Sequence, residues 1–200
     1  MSRTTRIILA VVSLMLAVTY YTPLWTVDLD APQYPEGLGL EIWINSIHGR
    51  NPGDLDKINN LNHYIGMKTI HPESIPELRY MPWIMRGLLL FGLVAAAVGR
   101  RKLVIAWLIA FLVLAIAGLV DYYIWGYDFG HNLDMDRAII KIPGMSYQPP
   151  LIGSKMLLNF KATSLPGIGG WILIIGCLSV FLATSVEWIK QRRAESGGTR

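Results

Sequence analysis

Two residue types that bind soft metal ions recur in one stretch of this chain. Leu61-Asn62-His63-Tyr64-Ile65-Gly66-Met67 carries a histidine and a methionine four residues apart. His71 follows four residues after Met67, and Met81 lies further on. Imidazole and thioether are the ligands on which a copper site outside the cytoplasm draws, the thioether favouring Cu(I). If residues 61–67 are helical, His63 and Met67 stand at i and i+4 on one face and could chelate one ion. Tyr64 and Trp43 would wall such a site. A later stretch repeats the theme, with His131 and Met135 at the same spacing and Met145 beyond them. The plainer alternative is that these methionines pack or anchor at an interface. No CxxC, HExxH or Met-x-x-Met run is present, so no standard metal motif decides between the two.

Other chemistry finds less support. Glu36, Glu73 and Glu77 could act as acid–base groups, but no nucleophile or paired carboxylate picks them out. Gly167-Ile-Gly-Gly170 precedes an apolar run and not a dinucleotide-binding helix, so a nucleotide reading fails on context. The single cysteine, Cys177, cannot form an internal disulfide and reads as a small apolar side chain in a helix. An enzyme is not expected.

The elements that must position these residues are set by composition. Of 200 residues, 52% are hydrophobic and 16% charged, against about 25% charged in an ordinary soluble domain. The mean hydropathy is +0.39. The apolar residues are clumped into runs long enough to cross a bilayer. Four spans are expected, at about residues 7–25, 82–99, 103–125 and 168–189. The first could be mistaken for a secretory signal, but it is long for one and no Ala-x-Ala site follows. Tyr20-Tyr21 with Trp25, and Tyr122-Tyr123 with Trp125, resemble the aromatic belts of a lipid–water boundary.

The net charge of +4 does not point to nucleic acid, because the basic residues sit at the ends of apolar runs. Arg3, Arg6, Arg100-Arg101-Lys102, Lys190, Arg192, Arg193 and Arg200 all fall on one side of a four-span arrangement. The positive-inside rule makes that side cytoplasmic, with both termini inside. Two long connections then lie outside, at residues 26–81 and 126–167. All four histidines are in them. Arg86 and Asp121, near the same membrane face, could form an ion pair.

The expected fold class is therefore an all-α membrane protein with four transmembrane helices and two ordered extracytoplasmic loops. Within the first loop, Leu38 to Ile44 alternates as a strand does. Asp54 to His63 reads as a short helix with Asp54 as N-cap and Lys57 inside. The chain divides into a half of residues 1–99 and a half of residues 100–200, each span–loop–span. The Tyr-Tyr, Trp and Asp28/Asp128 elements recur near a 100-residue offset, as do Gly66-Met67 and Gly144-Met145. An internal duplication of a two-helix unit would produce this. So would the common tendency of spans to end in aromatic residues.

One resemblance covers about a quarter of the chain. Pro23-Leu24-Trp25, Ala31-Pro32-Gln33-Tyr34-Pro35-Glu36-Gly37-Leu38 and Ile58-Asn59-x-Leu61-Asn62-His63-Tyr64-Ile65-Gly66-Met67 resemble a family of small bacterial multi-pass membrane proteins associated with copper handling and nitrous oxide reductase maturation. That resemblance implies an accessory protein of the bacterial inner membrane, with His63 and Met67 in its most recognisable segment.

Together these readings favour a copper-binding or copper-delivering accessory protein, with a copper ion taken by His63, Met67, His71 and Met81 and by His131, Met135 and Met145. Its partners would be the lipid bilayer and another membrane or periplasmic protein. The alternative is a non-catalytic scaffold or small subunit of a larger membrane complex, whose Tyr-, Trp- and Met-bearing loops are docking surfaces. A small permease ranks last, because the first and fourth spans hold almost no polar residues.

Overall fold

The structure is a computed structural model that describes residues 1–142 and 144–197. In chain order the elements are α1 (Arg3–Met15), β1 (Trp25–Ala31), β2 (Tyr34–Ile42), β3 (Ile47–Gly49), α2 (Asp54–Tyr64), α3 (Pro76–Val98), α4 (Arg101–His131), β4 (Gly153–Leu157), β5 (Phe160–Pro166) and α5 (Ile168–Gly197). A 3-10 turn, Leu16–Tyr20, continues α1. Four helices are long and apolar enough to cross a membrane: α1 with its continuation, α3, α4 and α5.

The bundle core is built from one stripe of each helix. Leu9 and Val12 of α1 and Leu16 of its continuation meet Met85, Leu88 and Ala95 of α3, Val104, Trp107 and Phe111 of α4, and Val180 of α5. Small residues bring the backbones close, as membrane helices require. A Cβ added at Gly92 would lie 2.0 Å from Ser13 Oγ, so α1 and α3 touch there with no room for a side chain. Trp107 Nε1 donates to Leu88 O at 3.0 Å and so buries no orphan donor. Arg6 donates to Ala96 O and Ala97 O, at 2.8 and 2.7 Å, satisfying carbonyls that the end of α3 leaves free. The faces turned outward, such as Ile109, Val113 and Ile116 of α4, are apolar and exposed, as lipid contact demands.

At one end of the bundle the connections form a cap, and here the all-α expectation is corrected. The cap contains a five-stranded antiparallel sheet in the order β3-β2-β1-β5-β4. Its centre joins the two halves of the chain: β1 pairs with β2 on one side and with β5 on the other. The sequence pattern explains β1 and β2. Trp25, Val27 and Leu29 alternate on one face opposite Ile42, Leu40 and Leu38. That face is covered by α2, which turns Leu55, Ile58 and Leu61 inward at helical spacing, and by Tyr122, Trp125 and Phe129 of α4.

The join is locked by one hydroxyl. Ser164 of β5 is fully buried, accepts from Trp25 Nε1 at 2.7 Å, lies 3.0 Å from Tyr122 OH, and donates to Leu151 O at 3.1 Å. One donor and two lone pairs are thus all used.

The boundaries also move. The first span stops at Tyr20, and Trp25 begins a strand, because Pro23 follows and Leu24 N already bonds Ile42 O. The second begins at Pro76 and carries Pro82 inside its helix, whose carbonyl accepts from Tyr20 OH. The third continues to His131, past residue 125. The proposed 100-residue offset matches unlike structures: Trp25 and Asp28 are in a strand, whereas Trp125 and Asp128 are in a helix. One sheet joins strands of both halves, β1 of the first and β5 of the second.

Candidate functional site

The site is the place where the first connection meets the second, and α2 organises it. Gly53, at φ +82°, is the N-cap; Asp54 is the first helical residue and not the cap expected for it. Its buried carboxylate is tied back to Gly39 N and Asn51 N, both at 3.1 Å, and to Asn51 Nδ2 at 3.2 Å. Burial pushes this carboxyl up. The hydrogen bonds from Gly39 and Asn51, with the Lys57 charge, outweigh that and hold it below the ordinary carboxylate range.

At its other end α2 stops at Tyr64, and Gly66 at φ +77° reverses the chain. Two side-chain amides then hold the returning segment. Asn59 accepts from Ile70 N at 2.7 Å and donates to Ile70 O at 3.1 Å, as a neighbouring strand would. Asn62 donates to Lys68 O at 3.3 Å, while its own carbonyl takes Met67 N at 2.8 Å.

The second connection docks on this turn through backbone. Gly66 O accepts Asp134 N at 2.8 Å, and Tyr64 O accepts Ile139 N and Ile140 N at 3.0 and 2.8 Å. A Cβ at Gly66 would lie 2.7 Å from Asp134 O. Further along, Gly130 O accepts Tyr147 N at 3.0 Å, and a Cβ at Gly130 would lie 2.3 Å from Gln148 N. Lys68 Nζ and Asp128 Oδ2 form an ion pair at 2.5 Å across the same seam.

The expected ligands are spread over this region. His63 is exposed on the last turn of α2. Met67 lies beyond the helix end, half-buried, and lines an apolar cleft. The two therefore do not share a helix face. His71 is exposed, hydrogen-bonded to Thr69 Oγ1 at 2.8 Å and 3.7 Å from Glu73, on an open hollow that Lys68, Glu77 and Asp128 line together with Ile75, Trp125 and Phe129. Met81 packs on the bundle core. His131 is the last residue of α4, so it and Met135 also lack the helical i, i+4 relation. The His131 ring stacks on Tyr127 at 4.0 Å, and its Nδ1 lies 3.1 Å from Tyr127 O. Met135 is half-buried in a turn, and Met145 is exposed.

Trp43 donates to Glu41 and meets His48 edge-on, while Tyr64 is half exposed. Among the described residues no group of three His, Cys, Asp or Glu is placed to hold a metal ion. Arg86 stacks its guanidinium over Trp83 and Tyr20, at 4.7 and 5.6 Å, and among the described residues no ion pair joins it to Asp121.

Comparison with family models and with curated proteins finds no match to this chain.

What sequence reasoning missed is the cleft itself. Leu40, Ile58, Met67, Trp125, Phe129 and Tyr147 surround a cavity of about 70 Å³ between the sheet, α2 and α4. Gly126 lies at its edge, buried, yet a Cβ there would meet no atom within 4 Å. Tyr147 is 2% exposed, and among the described residues its hydroxyl has no hydrogen-bond partner. Burial pushes its phenol up. The one signal in the sequence was Trp125, Gly126 and Phe129 falling on one helical face, which reads as a span end until the helix is seen to continue.

Proposed function

We propose that the protein is a non-catalytic accessory subunit whose cap is a docking surface for another membrane or periplasmic protein. One observation carries this reading: in the cap's second connection, away from the bundle, large apolar side chains stand exposed. Ile139 and Met156 are each 63% exposed and Ile152 60%, with Ile140, Ile142 and Met145 also exposed. Large apolar side chains left exposed outside the spans are what a binding partner covers. The order of the segment supports the same reading, since the hydrogen bonds to Tyr64 O and Gly66 O hold it in place before any partner arrives.

A second reading is copper handling at the extracytoplasmic face, with the termini in the cytoplasm of a bacterial cell. It is favoured by the exposure of His63, His71 and His131 on adjoining connections. Neutral imidazole and thioether suit Cu(I). The donors stand singly rather than as a chelate, so in this reading they would serve transfer between proteins.

One experiment separates the two. The full chain is purified in mild detergent from its native membrane, and partner stoichiometry and copper content are measured. The expected result is a stoichiometric partner that is lost in Ile140→Glu/Met145→Glu, with copper content equal in wild type and His63→Ala/Met67→Ala. Copper bound by wild type and lost in the double alanine variant would replace the docking reading with the second.

A further inference from the structure

A charged side chain within a membrane span is costly unless the charge is matched or carried to the interface. The helix α3 bears two arginines on the face turned away from the bundle. Arg79, Trp83, Arg86 and Leu90 are all exposed and, at 3.6 residues per turn, fall within an arc of about 60°. The side chains that α3 buries, among them Met85 and Leu88, lie on the opposite side. Among the described residues neither guanidinium has an ion pair or a hydrogen bond. Glu77, the acidic residue of the first turn, is on the far side of the helix, and its charge acts on Asp121 of α4.

Depth and direction select the ligand. Arg79 precedes Val98, the last residue of α3, by about 28 Å at 1.5 Å per residue, close to the roughly 30 Å of a hydrocarbon core. Arg86 precedes it by about 18 Å. With the basic turn after Val98 at one boundary, Arg79 stands at the cap-side boundary and Arg86 about 10 Å inside it. A helical side chain leans toward the N-terminus of its helix, which for α3 is the cap end. Arg86 does so: its guanidinium lies 4.7 Å from the centre of the Trp83 ring, one turn nearer the cap, and 5.6 Å from that of Tyr20. Tyr20 is fixed there by its hydroxyl, which donates to Pro82 O. Two rings thus hold the cation toward the headgroup layer, and its N–H donors are left for a ligand. The anion of that layer is the phosphodiester of a phospholipid, and a guanidinium fork matches two of its oxygens.

We propose that the Arg79–Trp83–Arg86 face of α3 binds the phosphate of one anionic phospholipid from the cap-side leaflet. Arg86 meets the phosphate from within the span, and Arg79, two turns nearer the cap, supplies the second positive charge. Two cations with no carboxylate on their face favour a lipid of net negative charge over a zwitterionic one, which brings its own cation. The proposal uses no residue of the docking surface and stands or falls separately from it.

The test places the full chain in phosphatidylcholine nanodiscs that hold a small fraction of phosphatidylglycerol with a diazirine in its headgroup. After photolysis, adducts are mapped by peptide mass spectrometry. Adducts are expected on Tyr80 and Trp83, and also around Arg100 and Lys102, where the other leaflet meets the basic turn. Arg79→Gln/Arg86→Gln lowers the Tyr80 and Trp83 adducts by about tenfold. It leaves those at the basic turn unchanged, which shows the variant inserted and folded. Arg86→Lys keeps the charge but loses the planar fork, and lowers the same adducts by about threefold. It keeps the test decisive should the glutamine variant not fold. A phosphatidylcholine with the same diazirine labels Tyr80 and Trp83 several-fold less. Four results overturn the proposal: a wild-type α3 face free of adducts, even where a second copy covers it; adducts there that neither variant lowers; equal labelling by the choline lipid; and loss of the adducts on adding millimolar inorganic phosphate, which would assign the arginines to a free anion.

Discussion

The two connections of the cap are built in different ways. The first carries its own regular structure: three strands, α2, and the side-chain clamps of Asp54, Asn59 and Asn62. The second has β4 and β5 only at its far end, and from residue 132 to residue 152 its described residues form no helix or strand. It takes its path from groups the rest of the molecule offers, chiefly the carbonyls of Tyr64, Gly66 and Gly130. One connection is a scaffold and the other is laid upon it. Exposed apolar side chains collect on the laid segment, where packing leaves more surface free.

Gly66→Ala breaks this relation most directly. A left-handed backbone costs an L-residue roughly 1–2 kcal/mol, and the overlap with Asp134 O adds about as much again. We expect about 3 kcal/mol of lost stability by thermal unfolding in detergent, with faster protease cleavage within residues 132–150 than within β1 or β2. Equal protection of both connections would show that the second does not depend on the first.

Asp54→Asn strikes the scaffold alone. A buried carboxylate accepting hydrogen bonds from backbone and amide gives way to a neutral group, at about 2 kcal/mol. Since the folded carboxyl lies below its ordinary value of 3.8, its contribution is complete above that pH and is lost as pH falls through the lower folded value. Melting curves from neutral to pH 3 should therefore show an acid-dependent loss in wild type that shrinks in the variant. An identical loss in both would place the acid sensitivity elsewhere.

The smallest effect belongs to the seam. Lys68→Met removes the ion pair with Asp128, whose groups are half and about a third exposed, and should cost under about 1 kcal/mol, screened further by salt. A larger loss, insensitive to salt, would mean that the connections are joined by charge and not by backbone.

The same contrast explains what could be read from the sequence. Four spans were legible because each is a long apolar run bounded by Arg, Lys or aromatic residues. β2 and α2 were legible from local sequence: Leu38 to Ile42 alternates, and Asp54 to His63 reads as a short helix, though Gly53 and not Asp54 is its cap. The sheet was not, since β1 reads as a span end and β5 as part of a loop, and only pairing across the chain reveals either. The candidate ligands, expected in the two connections, are divided between helices and loops: His63, Met81 and His131 are helical, and Met67, His71, Met135 and Met145 are not. Their supposed spacing failed because both helices end too soon, one at Tyr64 and the other at His131. The most recognisable stretch, Asn59 to Met67, uses its asparagines and glycine to make a turn on which other backbone rests.

The pairing of β1 with β5 has a consequence for how the protein is made. Trp25 and its acceptor Ser164 are 139 residues apart. At roughly 5–20 residues per second, synthesis leaves β1 without its second neighbour for on the order of ten seconds. During that interval the nascent chain presents an open strand edge beside the bilayer. Three helices are already threaded by then, yet the cap closes only when the last strand arrives. A chain interrupted after α4 would therefore be inserted but unsealed, and recognisable to quality-control proteases by that bare edge.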